Sequence, residues 1–229
     1  MSRRTIYCPH SCTIFAILFL ILIIIVSLLF VGVVGLAFRR VGFNSQLTAL
    51  ILVATFVGSY INIPLFRLKA LIPIVREEYI SFFGIVFRVP QLDLEEFTTI
   101  VAINVGGALI PTATSLYLLF KLPLVLPYAM IGIFIVAAIT HLVAKPVKGL
   151  GIVTPAFIPP LTAAFVAYLL PSGAPAVIAY TSGVLGTLIG ADLTNLHAIP
   201  RLGARIASIG GAGTFDGVFL SGIIAALLV

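Results

Sequence analysis

Residues 13–37 read TIFAILFLILIIIVSLLFVGVVGLA, 25 residues whose only polar side chains are the hydroxyls of Thr13 and Ser27. As a helix rising about 1.5 Å per residue, this run is longer than the roughly 30 Å hydrocarbon core of a bilayer. Arg3 and Arg4 precede it, as basic residues precede a secretion signal. The run is too long for a signal's apolar region and lacks a convincing small-residue cleavage site, so it reads as a retained membrane helix.

Outward from that run the theme repeats. Apolar stretches bounded by charge, Pro or Gly fall at residues 47–66, 99–120, 123–144, 150–170, 174–191 and 206–229. Of 229 residues, 61% are hydrophobic and 9% charged, with mean hydropathy +1.27. A soluble domain carries about a quarter charged residues, so a water-soluble fold is excluded. The expectation is an all-α polytopic bundle of about seven transmembrane spans. Residues 1–44 form a tail and first helix, and residues 45–229 one membrane-embedded domain. Its expected location is the cell membrane, as a multi-pass protein.

Lysine and arginine set the orientation. Alternate connections give ten on the N-terminal side (Arg3, Arg4, Arg67, Lys69, Arg76, Arg88, Lys145, Lys148, Arg201, Arg205) against Arg39, Arg40 and Lys121 opposite. Positive loops stay in the cytoplasm, so the N-terminus is expected there. The longest connection, residues 67–98, holds five of the seven acidic residues. Within it, YISFFGIVFRVP (residues 79–90) sets β-branched and aromatic residues about Gly84, which fits a short hairpin or re-entrant turn; an amphipathic interfacial segment fits as well.

The other two acidic residues, Asp192 and Asp216, stand in apolar surroundings. An ionised carboxylate at the bilayer centre costs at least about 2.5–3.5 kcal/mol, so intramembrane aspartates are functional candidates. Asp216 lies about ten residues into the last run, among Gly210, Gly211, Gly213, Gly217 and Gly222, and is expected near mid-membrane. Small-residue packing around a neutral Asp is the structural alternative. Asp192, at the cytoplasmic end of the sixth run, has a blander role open to it, solvated or paired with Arg201 or Arg205. Asn62, Asn104, Gly106, Thr154, Asn195 and Gly213 project onto the same half. One polar, cytoplasm-facing, substrate-binding cavity would account for them together. His141, near the end of the fourth span, reads as a satisfied or solvated histidine.

Cys8, His10 and Cys12 lack a convincing fourth ligand, so no metal is expected. No phosphate-binding loop, Gly-x-Ser-x-Gly elbow, HExxH or CxxCH motif occurs, and no cofactor or nucleic acid is expected. The expected surroundings are lipid, with a transmembrane peptide or small solute as substrate; an oligomer is left open.

The motifs INVGGALIP (residues 103–111), GADLTNL (residues 190–196) and GGAGTFDGVFLSG (residues 210–222) resemble a prokaryotic membrane family catalogued as domain of unknown function 1614, over residues 45–229. That resemblance implies a membrane bundle and no established activity. More weakly, Asp192 and Asp216 on successive spans resemble the catalytic pair of presenilin-type intramembrane aspartyl proteases. Gly211-Ala212-Gly213 is separated from Asp216 by Thr214 and Phe215, and Thr154-Pro155-Ala156-Phe157 stands loosely for a Pro-Ala-Leu element. Three readings follow: an aspartyl intramembrane hydrolase, a proton- or cation-coupled solute transporter, and a non-catalytic membrane assembly protein.

Overall fold

The computed structural model describes residues 10–83, 85–148, 151–211 and 216–229. Cys8 and Gly213 lie outside them. Among the described residues, seven α-helices fall within or beside the seven expected spans, but a mixed sheet accompanies them, so the fold is mostly helical rather than all-α.

Helix α1 (His10–Val41) runs 32 residues and ends where Gly42 takes a φ of +102°. Its residues from Ile14 to Leu29 lie exposed although nearly all are apolar. Asn44 then starts α2 (Ser45–Gly58), its side chain accepting the Leu47 N–H at 2.8 Å.

Beyond α2 the chain turns to strand. β1 (Asn62–Phe82) and β2 (Ile85–Asn104) form an antiparallel ribbon joined between Phe82 and Ile85, with a bulge near Pro64. The turn lies within residues 79–90, where the sequence marks it, but the strands are far longer than a short hairpin. They take in residues 62–66 and 99–104, expected to end the second span and begin the third. Pro64, Pro73 and Pro90 deny a helix its backbone donors, while the β-branched and aromatic residues between them suit a pleated ribbon.

A π-helical turn (Val105–Leu109) leads into α3 (Ile110–Lys121), and a 3-10 turn (Pro123–Val125) into α4 (Leu126–Val143). The small hairpin of β3 (Lys145–Val147) and β4 (Gly151–Val153) precedes α5 (Ile158–Leu169). α6 (Pro175–Thr181) continues through two π-helical stretches, Ser182–Gly186 and Leu188–Leu193. Helices α3 to α6 all carry proline in the first turn, where its missing N–H costs nothing. A 3-10 stretch (Leu196–Leu202), β5 (Ile206–Ile209) and α7 (Gly217–Leu228) complete the chain, β5 pairing parallel to β2 at the base of the ribbon.

Three helical segments are long and apolar enough to cross a membrane: Ile14–Val41, Pro123–Val143 and Pro175–Leu193. The other four are shorter. The core packs α7 against α1, α5 and α6 around Phe38, Tyr180 and Phe219, whose rings lie 5.7 Å and 6.4 Å from Phe38. Glycine sets how closely the helices approach. A β-carbon on Gly186 would strike Val136 of α4, and one on Gly222 would strike Val184. The ends of the helical array differ. Arg40 donates to the Leu227 carbonyl at 2.6 Å and Phe43 stacks on Tyr117, which puts the close of α1, α3 and α7 together. The chain alternation then sets all five strands at the opposite end.

Candidate functional site

The strand end of the array is built on the last residues of β5. In the parallel ladder the Ile100 N–H donates to the Arg205 carbonyl at 2.9 Å, so by alternation the backbone groups of Ile206 and Ser208 face away from β2. Among the described residues no second strand pairs on that edge, although the Ser208 carbonyl accepts the Gly211 N–H at 3.3 Å. Gly210 continues the row, and its N–H donates to Asp192 Oδ2 at 2.7 Å. A carboxylate therefore stands at the end of an open strand edge.

Gly210 and Gly211, with φ of +78° and +79°, turn the chain sharply after β5. A side chain at Gly210 would overlap Ala108, and one at Gly211 would overlap the Asp216 carboxyl. This turn corrects the expectation for Asp216. A helix running from residue 206 would carry it to mid-membrane, but left-handed glycines forbid that helix, and Asp216 sits at the N-cap of α7 on the strand end.

Asp192 and Asp216 line one half-open cavity of about 420 Å³. Its walls include the length of β5, Gly151 and Ile152 of the small hairpin, Ile199 and Gly211. The size is in the range of small-molecule sites. Among the described residues no lysine or arginine forms an ion pair with either carboxylate; the three ion pairs, Lys69–Glu96, Arg76–Asp93 and Arg88–Glu77, all lie on the ribbon. Asp192 is thus held by a backbone donor rather than by Arg205, and the Arg201 side chain lies outside the described part of the structure.

Of the remaining candidates, Asn62 and Asn104 stand one contact back. Asn62 Oδ1 accepts from Ser208 Oγ at 2.6 Å and from Asn104 Nδ2 at 3.2 Å, and Ser208 lines the cavity. Asn104 is fully buried, donates to the Ser59 carbonyl at 2.7 Å and accepts the Gly107 N–H at 2.7 Å, which caps the turn into α3. Gly106 lets α2 approach, since a β-carbon there would overlap backbone at Thr55 and Ser59. Asn195, buried behind Asp192, donates to the carbonyls of Gly190 and Ala191 at 3.1 Å and 2.9 Å, closing the π-helical stretch. Thr154 follows β4 and does not line the cavity. His141 is exposed and meets Thr194 Oγ1 at 2.8 Å. Sequence reasoning missed the β5 edge and the wall from Gly151 and Ile152. The adjacent glycines Gly210 and Gly211 after the short run Ile206–Ile209 were the available signal.

A family model described as a protein of unknown function, DUF1614, matches residues 56–228 and so covers both aspartates, the ribbon and every wall of the cavity. The chain belongs to the DUF1614 family. Helix α1 lies outside the matched region, so the DUF1614 part comprises the last residues of α2 and everything after it. Searches of curated proteins and of solved structures found no match, and the comparisons lend no support to a presenilin-type relationship.

Proposed function

We propose that this DUF1614 protein is a multi-pass cell-membrane protein with a cytoplasmic N-terminus, and that Asp192 and Asp216 form an aspartyl-type hydrolytic site for extended peptide segments. One observation carries the reading: two carboxylates line the same cavity as a strand edge that no second strand covers, and Asp192 sits at the end of that edge. A peptide adding to β5 would bond through its backbone and deliver its next carbonyl to the carboxylates.

In the reaction, the ionised carboxylate takes a proton from water as the water oxygen bonds to the scissile carbonyl carbon. The protonated carboxyl gives its proton to the carbonyl oxygen. The tetrahedral species then breaks its C–N bond, the amine leaving with the proton the first carboxylate had taken while one diol hydroxyl returns its proton to the second, which leaves a carboxylic acid and restores the pair. The membrane setting is supported by three helices long enough to cross and by the exposed apolar length of α1. The orientation rests on the excess of lysine and arginine in the connections at the strand end.

The test uses purified protein in liposomes with a panel of fluorogenic transmembrane peptides. Cleavage is expected, and Asp192→Asn and Asp216→Asn are each expected to abolish it while melting as the parent does. Cleavage by either variant at the parent rate sinks the reading.

Transport is the second reading, favoured by hydroxyls inside the bundle. Those of Thr140 and Ser182 are buried without a partner, and Thr187 meets Ser221 at 3.0 Å. Proton flux in the same liposomes that requires Asp192 and proceeds without peptide cleavage would select it.

A further inference from the structure

A second cavity lies between α1 and α2. Its deeper part, about 770 Å³, is almost wholly apolar, walled by Phe30, Val53 and Phe56 and floored by Leu220 of α7. A second part, about 450 Å³, continues it toward the end of α1; the two share Val31, Ala49 and Leu52, so they form one groove. Gly32 and Gly35 stand along the groove, and a β-carbon on either would meet nothing within 4 Å. The helices are therefore held apart here rather than packed on their small residues. Residues 26 to 39 of α1 cover about 20 Å of helix, somewhat more than one leaflet's half of a roughly 30 Å hydrocarbon core.

The groove closes in polar chemistry. Arg39 and Ser45 line its end, with Arg39 Nη2 3.4 Å from Ser45 Oγ, a long contact that leaves most guanidinium donors available. Thr48 lines the same end, is 6% exposed, and its hydroxyl has no hydrogen-bond partner. Gly42 and Asn44 mark the interfacial turn between the helices. An apolar trench one leaflet deep with a guanidinium and a hydroxyl at its mouth matches an acyl chain esterified to an anionic headgroup.

We infer that the α1–α2 groove binds a phospholipid, its acyl chain along Gly32 and Gly35 and its phosphate on Arg39 and Ser45. This rests on the membrane placement and is independent of the hydrolytic reading. The lipid's headgroup would sit at the end of the array opposite the aspartate cavity, its chain filling space that α1 and α2 leave open.

The experiment uses the full chain in mild detergent, stripped of lipid and titrated with phosphatidylglycerol or with diacylglycerol of the same chains, bound lipid being counted by native mass spectrometry. Saturable binding of one phosphatidylglycerol per chain is expected. Arg39→Gln should weaken phosphatidylglycerol about tenfold, the worth of one charge-assisted hydrogen bond, and leave diacylglycerol unchanged. The Gly32→Leu, Gly35→Leu double variant fills open space in a helix, so it should fold and lose both lipids. Retention by that variant overturns the site, and equal binding of both lipids by the parent overturns the phosphate contact. Disulfide capture of two copies through Gly35→Cys, in a background lacking Cys8 and Cys12, would put a second chain in the groove and overturn it as well.

Discussion

A β-carbon on Gly211 would occupy the space of the Asp216 carboxyl, and its φ of +79° costs an L-residue roughly 1–2 kcal/mol. Gly211→Ala is therefore expected to lower peptide cleavage at least tenfold while the melting temperature falls by only a few degrees, read from initial rates and a thermal scan. Asn104 belongs to the framework instead. Asn104→Ala leaves the Ser59 carbonyl and the Gly107 N–H without their buried partner. It should cost about 2–3 kcal/mol, with activity falling only as the folded fraction falls, measured by chemical denaturation. If one aspartate works ionised and the other protonated, the rate follows a bell-shaped pH profile with two apparent pKa values that belong to the pair. A rate that rises with a single titration and stays flat would leave one aspartate without its proposed part. Both aspartates were legible as residues, because charge is scarce among apolar neighbours. That they line one cavity was not, because it depends on the backbone of Gly210 and Gly211.

At the scale of elements, the free edge of β5 makes a separable prediction. Proline at Ile206 would remove an N–H that faces away from β2, so the parallel ladder should survive. Ile206→Pro is expected to raise KM for an extended peptide several-fold with kcat less affected, by steady-state kinetics. Equal KM would remove strand addition from the proposal. The ribbon differs in kind. Its outer portion exposes Leu71, Val75, Leu92 and Leu94 and is held chiefly by its own ladder and its three ion pairs. The helices were readable because their apolar runs are long. Residues 62–66 and 99–104 read in the sequence as span ends because a short apolar run carries no period that separates strand from helix. Only pairing between residues some forty positions apart, as in Asn62 with Asn104, makes them strands.

For the whole molecule, the strand end carries Arg67, Lys69, Arg76, Arg88, Lys145, Lys148 and Arg205 among its connections, and the other end Arg39, Arg40 and Lys121. In a background lacking Cys8 and Cys12, a cysteine at Leu92, 81% exposed on the ribbon, should react with an impermeant maleimide only in inverted vesicles, and one at Leu124, 87% exposed, only in right-side-out vesicles. Labelling of both from one side would overturn the orientation. The lengths of the helices bear on something further. α5, which exposes Leu161, Phe165 and Tyr168, has 12 residues, about 18 Å of helix, while α1 has 32. A bilayer meeting helices of such unequal reach is drawn thin beside the short one, at a cost of fractions of a kcal/mol per ångström of mismatch. On the proposed membrane placement, thinning at the start of α5, just after the β4 residues that wall the cavity, would bring bulk water down toward the carboxylates and make the surrounding membrane's thickness a control on the site's hydration.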